Sequence, residues 1–280
     1  MRVVVLGRGK VGRALARGWT RAGLDVSLRA GRAKRRAGLG DADACVLAVP
    51  DGAIDAVSEA VAPRLDAGAA LFHCAGARGP DALGALPEGV HGGALHPMIS
   101  FADPKRPPPL AGASFGLAGD PVARATGRRL VRALGAHAVE ARAGAGPQGP
   151  AYHAAAALIA NGAAALAAEA VAILEAEGVA RRDAERMLGA LLGSVAANVT
   201  HLGLPAALTG PVARGDAETV RAHRAAIGSE VRATYDAVGA AILRLARAQG
   251  LPEQAAEAVA EALADGLRGE NEDLPALSRV

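Results

Sequence analysis

Two sets of residues in this chain have the types and spacing to do chemistry. The first is Gly7-Arg8-Gly9-Lys10-Val11-Gly12, a G-x-G-x-x-G run directly after the apolar stretch Val3–Leu6. Gly7 permits a tight turn, Gly9 lets the backbone approach a pyrophosphate, and Gly12 allows a following helix to pack closely on the strand. The helix start then presents free N–H groups and a partial positive charge to phosphate. Arg8, Lys10 and Val11 share that loop and are candidate cofactor contacts. Val49-Pro50-Asp51 joins them, because proline stops a strand there and ligands of open parallel sheets lie beyond such strand ends. Where an NAD-preferring domain carries an acid to hold the ribose 2′-hydroxyl, this chain has Arg29 and Arg32 and no acid before Asp41. Arginine grips a 2′-phosphate with charge-assisted hydrogen bonds, so the expected cofactor is NADP(H).

The second set comprises His153, His96 and Asn161. Reducing a ketone needs a hydride on carbon and a proton on oxygen, and histidine is suited to supply the proton. His153, near the start of the first helix of a second domain, is the preferred acid and is expected to face the interdomain cleft. His96 is the other candidate, in a loop held at the ligand-bearing edge of the sheet. Asn161, about two helical turns beyond His153, can hydrogen-bond a carbonyl or carboxylate. Ser100, Thr209 and Arg214 are candidate substrate contacts, the last as a planar carboxylate clamp. His73, Cys74, His91 and His96 lack recognised zinc spacing, so no metal is expected.

These residues need elements to hold them. Strands are expected at Val3–Leu6, Asp25–Leu28, Asp43–Val49, Ala69–Cys74, Val90–Leu95, Ala113–Ala118 and Ala136–Ala141. Helices over Val11–Ala22, Ile54–Leu65 and Pro121–Leu134 alternate with several of them, which argues for a right-handed, mostly parallel, doubly wound sheet. Glycine and proline interrupt both patterns over 144–150 and mark a boundary. Residues 1–147 are expected to form a Rossmann domain and 148–280 an all-α domain. Its helices are expected over Ala151–Glu177, Arg181–His201, Asp216–Ile227, Ser229–Gln249 and Pro252–Leu267.

At 280 residues, 51% hydrophobic but only 2% aromatic, the cores must be built from Ala, Val and Leu. The net charge is +3 and basic residues are not interleaved with aromatics, which argues against a base-stacking nucleic-acid groove. The longest apolar stretch, Ala151–Ala168, is broken by His153 and Asn161, short of the ~20 uninterrupted apolar residues of a membrane span. A cytoplasmic protein without membrane partners is expected, with a homodimer formed through the alanine-rich helical domain.

A Rossmann domain followed by helices resembles the 6-phosphogluconate dehydrogenase-like superfamily, as does Val-Pro-Asp at Val49–Asp51. His96-Pro97-x-x-Ser100-Phe101, Tyr152-His153 with Asn161, and Leu208-Thr-Gly-Pro211-x-x-Arg214-Gly-Asp216 resemble, across the whole chain, a bacterial Rossmann-like family whose helical half is a domain of unknown function. The resemblance implies an NADP oxidoreductase or ketopantoate reductase-like enzyme acting on a small 2-oxo acid. Imine reduction, deazaflavin-linked NADP reduction, and a noncatalytic NADP(H)-binding redox sensor or regulator are the alternatives. Better-known superfamily members carry a catalytic lysine, and four residues later an asparagine, on the first helix of the second domain. Here His153 and Asn161 stand eight apart and no lysine follows Lys105, so another group must supply the proton.

Overall fold

In a computed structural model, residues 1–31, 38–140 and 148–264 are described. Among the described residues seven strands form one sheet: β1 (Arg2–Leu6), β2 (Asp25–Arg29), β3 (Ala44–Leu47), β4 (Ala70–His73), β5 (His91–Pro97), β6 (Ser114–Gly119) and β7 (His137–Val139). Their order across the sheet is β2-β1-β3-β4-β5-β6-β7. After β1 the chain moves to one side to make β2, then returns to the other side of β1 for β3. That reversal opens a crevice at the carboxyl ends of β1 and β3.

The unbroken apolar runs of the strands reflect burial on both faces. Val3, Val5, Ala44, Val46, Ala70 and Phe72 point to the face covered by α1 (Lys10–Arg21) and α3 (Pro121–Ala133), and pack with Leu15, Trp19 and Leu130. Val4, Leu6, Cys45, Leu47 and Leu71 point the other way, against Ile54, Val57 and Val61 of α2 (Ile54–Val61). Trp19, fully buried, donates its indole N–H to the Leu130 carbonyl at 2.9 Å and ties α1 to α3.

Parallel pairing runs from β2 through β5, but β5 and β6 are antiparallel, with Leu95 opposite Leu117 and His96 opposite Gly116. A parallel step needs a crossover that returns the chain to the same edge. The proline-rich segment between β5 and β6 forms no helix, so the chain re-enters the sheet in the opposite direction. α3 then restores a parallel step to β7.

The chain divides into two compact units, Met1–Gly162 and Ala163–Val280, and the division falls inside α4 (Pro150–Ala176). The second unit contains the rest of α4 with α5 (Arg181–Leu202), α6 (Ala217–Ala226), α7 (Ser229–Gln249) and α8 (Glu253–Ala264). Asp216 caps α6 as its sequence position predicts, its carboxylate accepting from the Thr219 N–H at 3.0 Å. The core of this unit gathers Val212, Val220, Leu243, Val259 and Leu263. At its edge the buried Arg224 pairs with both carboxylate oxygens of Asp236, at 2.7 and 3.0 Å, and donates to the Ala262 carbonyl. The last three residues of the helix expected over 252–267 lie outside the described residues.

α4 is long and apolar enough, by length and composition, to cross a membrane: an 18-residue window has mean hydropathy 1.9 and is only 6% buried.

Candidate active site

The glycine loop lies in the crevice between β1 and β3. Gly7 has φ +126°, a conformation that disfavours any side chain, and a Cβ there would lie 2.0 Å from the Ala48 carbonyl oxygen. A Cβ on Gly12 would lie 2.0 Å from the Gly7 carbonyl oxygen. Gly9 differs, with no heavy atom within 4 Å of a Cβ position. Gly7 and Gly12 are therefore required by packing, whereas Gly9 leaves open the space over the start of α1. Among the described residues no side chain caps that helix and no acid occupies its first turn. Free N–H groups, a bare Gly9 and no competing carboxylate fit a pyrophosphate. Arg8 and Lys10 are exposed beside the loop, Val11 is half-buried, and Arg13 Nε donates to the Arg8 carbonyl at 2.7 Å.

Arg29 closes β2 at the same sheet edge, its guanidinium donating to Ser27 Oγ at 2.9 Å and to the Gly38 carbonyl at 3.2 Å. Arg32 lies outside the described residues. Val49 packs under Gly31, where a Cβ would meet Val49 Cγ1 at 2.6 Å. Pro50 precedes a 3-10 turn over Asp51–Ala53. Arg78 braces that turn, reaching the Asp51 carbonyl at 3.0 Å and the Asp55 carboxylate at 2.8 Å.

Further along the same edge, β4 and β5 end in a cluster of imidazoles. His96 lies within β5, one residue before its end, rather than in the loop expected from sequence. Its position in the ladder gives it a more rigid mount than a loop would. Its Nδ1 stands 3.0 Å from the Tyr152 hydroxyl on α4, the two rings edge to face with centroids 5.5 Å apart. The His153 ring is also edge-on to His96, centroids 6.1 Å apart. Gly76, just past β4, lies beneath both. A Cβ at Gly76 would stand 2.8 Å from His96 Nε2 and 2.9 Å from His153 Nδ1, so the two nitrogens face one gap that only glycine leaves clear. The Gly76 carbonyl accepts from the Gly149 N–H at 3.0 Å, which pins the start of α4 over this turn.

The electrostatics separate the histidines. Burial, reinforced by the neighbouring His153, lowers the His96 pKa from 6.5 to about 4. At neutral pH it is an uncharged imidazole and a poor proton donor. His153 is exposed to solvent. His73, fully buried, donates from Nε2 to the Gly79 carbonyl at 2.8 Å and accepts at Nδ1 from the Ala75 N–H at 3.2 Å. Burial lowers its pKa as well. Both of its nitrogens hold the turn after β4. Burial also pushes the Cys74 thiol up to about 12, so it carries no thiolate at neutral pH. His91 pairs with Asp120 at 3.3 Å.

A cavity of about 410 Å³ opens beside the cluster, lined by His96, Met98, Ser100, His153, Ile159 and Asn161 among others. The structure thus brings together four residues that lie up to 65 positions apart: His96, Ser100, His153 and Asn161. Thr209 and Arg214 belong to the helical unit, where with Gly210 and Gln249 they line a cavity of about 510 Å³. Sequence reasoning missed two site residues. Tyr152 had a signal, since it adjoins His153 in the pattern that carried the family resemblance. Gly76 had only its place after a strand, which many glycines share.

The model for a family described as Domain of unknown function (DUF2520) matches residues 113–242. No curated protein matches the chain. Among solved structures, protein TM1727 from Thermotoga maritima is 21% identical with a TM-score of 0.62, covering 88% of this chain and 99% of its own. A Bacteroides fragilis protein assigned provisionally as an NADP oxidoreductase is 18% identical with a TM-score of 0.61, covering 88% and 96%. The Plasmodium falciparum pyrroline carboxylate reductase, solved with NADP bound, is 14% identical with a TM-score of 0.55, covering 94% and 98%. The chain therefore has the fold of NAD(P)-binding Rossmann oxidoreductases: a mostly parallel sheet with flanking helices, followed by a helical region.

Proposed function

We propose that this protein is an NADPH-dependent reductase of a small carbonyl compound, with 2-oxo acids of the ketopantoate type favoured. The convergence of His96 and His153 over Gly76 carries this reading, because it lies at the carboxyl edge of the sheet whose glycine loop fits a dinucleotide. NADPH, when bound, would supply a hydride for the carbonyl carbon. The carbonyl π electrons then move onto oxygen, and a proton must arrive there. His153 donates it: its ring is open to solvent, whereas burial keeps His96 neutral. His96 donates a hydrogen bond that polarises the carbonyl, and Ser100 and Asn161 supply hydrogen bonds for the substrate's carboxylate. Holding these partners in one cavity supplies part of the rate by orientation. Arg29, with Arg32 in the basic segment after it, favours a 2′-phosphate over a 2′-hydroxyl.

The test is NADPH oxidation with ketopantoate, other 2-oxo acids and cyclic imines, in the wild type and in His153→Ala. Turnover that falls about 100-fold or more in the variant, with NADPH affinity nearly intact, is the expected result. Tight NADPH binding without turnover on any of them would favour a redox sensor and sink the reductase.

We also infer a homodimer through the helical unit. Met187, Leu191, Val195, Val199 and Leu202 recur along α5 at helical spacing, all 40–62% exposed, and only Ala184 of that helix is buried. A second copy suits such a face better than lipid does, because α5 also carries Arg181, Arg182, Asp183, Glu185 and Arg186.

A further inference from the structure

We propose that Tyr152 is a positioning residue: it holds His96 as the Nε2–H tautomer, so that His96 presents a fixed N–H to the gap over Gly76 that it shares with His153. The inference rests on the reductase reading for its catalytic consequence, but the tautomer itself is a property of the free protein.

The argument begins with the pair's chemistry. Tyr152 Oη and His96 Nδ1 are 3.0 Å apart, a hydrogen-bond distance with two possible donors. A phenol is a good donor and a weak acceptor, while an unprotonated imidazole nitrogen is a strong acceptor. O–H···N is therefore the favoured sense, and it places the single proton of a neutral imidazole on Nε2. Burial raises the Tyr152 pKa, which keeps the phenol protonated, and lowers that of His96, which keeps the ring neutral. Both shifts act in the direction the arrangement needs.

Geometry gives the proton its destination. His96 Nε2 is the nitrogen that faces the gap above Gly76, and His153 Nδ1 faces it from α4. His96 is held by the β5 ladder, and Tyr152 and His153 are neighbours on one helix. That helix is tethered at its start by the Gly149 N–H to the Gly76 carbonyl. Strand, turn and helix thus fix two imidazoles beside one glycine, with the Tyr152 ring held against the first of them. With the opposite tautomer, Nε2 would offer a lone pair to the gap and repel a carbonyl oxygen there. The hydroxyl of Tyr152 selects which of these His96 presents, and the two histidines divide the work: one polarises and the other protonates.

Nitrogen-15 NMR of the imidazoles in the nucleotide-free protein near neutral pH tests this directly. The neutral Nε2–H form of His96 is expected in the wild type, and a mixture of tautomers in Tyr152→Phe, which keeps the ring and loses only the hydroxyl. An Nδ1–H tautomer in the wild type, or an unchanged spectrum in Tyr152→Phe, would overturn the proposal whether or not any substrate is turned over. The kinetic counterpart is a double-mutant cycle. Tyr152→Phe should lower kcat by about tenfold with NADPH affinity unchanged. On a His96→Gln background, whose amide N–H needs no tautomer, the same change should cost almost nothing. Equal costs on both backgrounds would show that Tyr152 acts independently of His96, and would also overturn the proposal.

Discussion

A histidine's chemistry is set by what surrounds it, and two of this site's imidazoles have been moved away from their ordinary behaviour. Because the folded His96 titrates near 4 against 6.5 for an exposed imidazole, the unfolded chain binds a proton that the folded chain refuses between those values. Stability is then fully present above about pH 6.5 and is lost as pH falls towards about 4. His73, shifted in the same direction by burial, adds to the effect. Replacing His96 by Gln should shrink the fall in Tm between about pH 7 and about pH 5. Calorimetry at the two pH values decides, and an equal fall in both proteins would contradict the assignment. The proposed 2′-phosphate contact of Arg29 and Arg32 is also a residue-scale question. Arg29→Ala combined with Arg32→Ala should weaken NADPH binding about tenfold or more while leaving NADH nearly unaffected, because only NADPH carries the 2′-phosphate proposed as their partner. Equal weakening in a fluorescence titration would remove the 2′-phosphate argument.

Within the strand–turn–helix element that opens the chain, three glycines of identical type do different jobs. Gly7 holds a positive φ and sits against the Ala48 carbonyl, whereas Gly9 has open space where a methyl would go. Gly7→Ala should therefore destabilise the fold by about 1–3 kcal/mol, read as a lower Tm. Gly9→Ala should leave Tm within about a degree and still weaken NADPH binding, because its methyl occupies the open space over the start of α1 proposed for the pyrophosphate. If both variants bind NADPH normally, the loop does not hold a dinucleotide. At the other end of the sheet, β5 raises His96 to the gap on a rigid ladder. The antiparallel entry of β6 follows from a proline-rich connection that supplies no crossover helix.

For the whole molecule, the uncovered apolar faces are what remain to be explained. α5 buries a single alanine, and an exposed apolar face of this kind marks an interaction surface. Light scattering on the full-length protein should give the mass of a dimer, and Leu191→Glu with Val195→Glu should shift it to monomer. A monomeric wild type, or recovery only with lipid vesicles or detergent, would exclude the second copy as the cover for α5.

The amino-acid sequence by itself determined the local elements and the loop chemistry. Apolar runs bounded by glycine and proline specify buried strands, the G-x-G-x-x-G spacing after such a run specifies a tight strand–turn–helix, and Asp216 specifies a helix start. Each of these is settled by residues within a few positions of one another, so periodicity and turn chemistry suffice. The tertiary structure alone decided what depends on distant segments meeting. It set the antiparallel step at β6, and it placed His96 inside a strand with its ring against Tyr152, 56 residues later in the chain. It also decided that burial lowers the pKa of His96 and His73, because desolvation belongs to a packed environment rather than to a residue type. Gly76 is the clearest case. In sequence it is one of 36 glycines, and only the approach of two imidazoles from a strand and a helix shows why no side chain fits there.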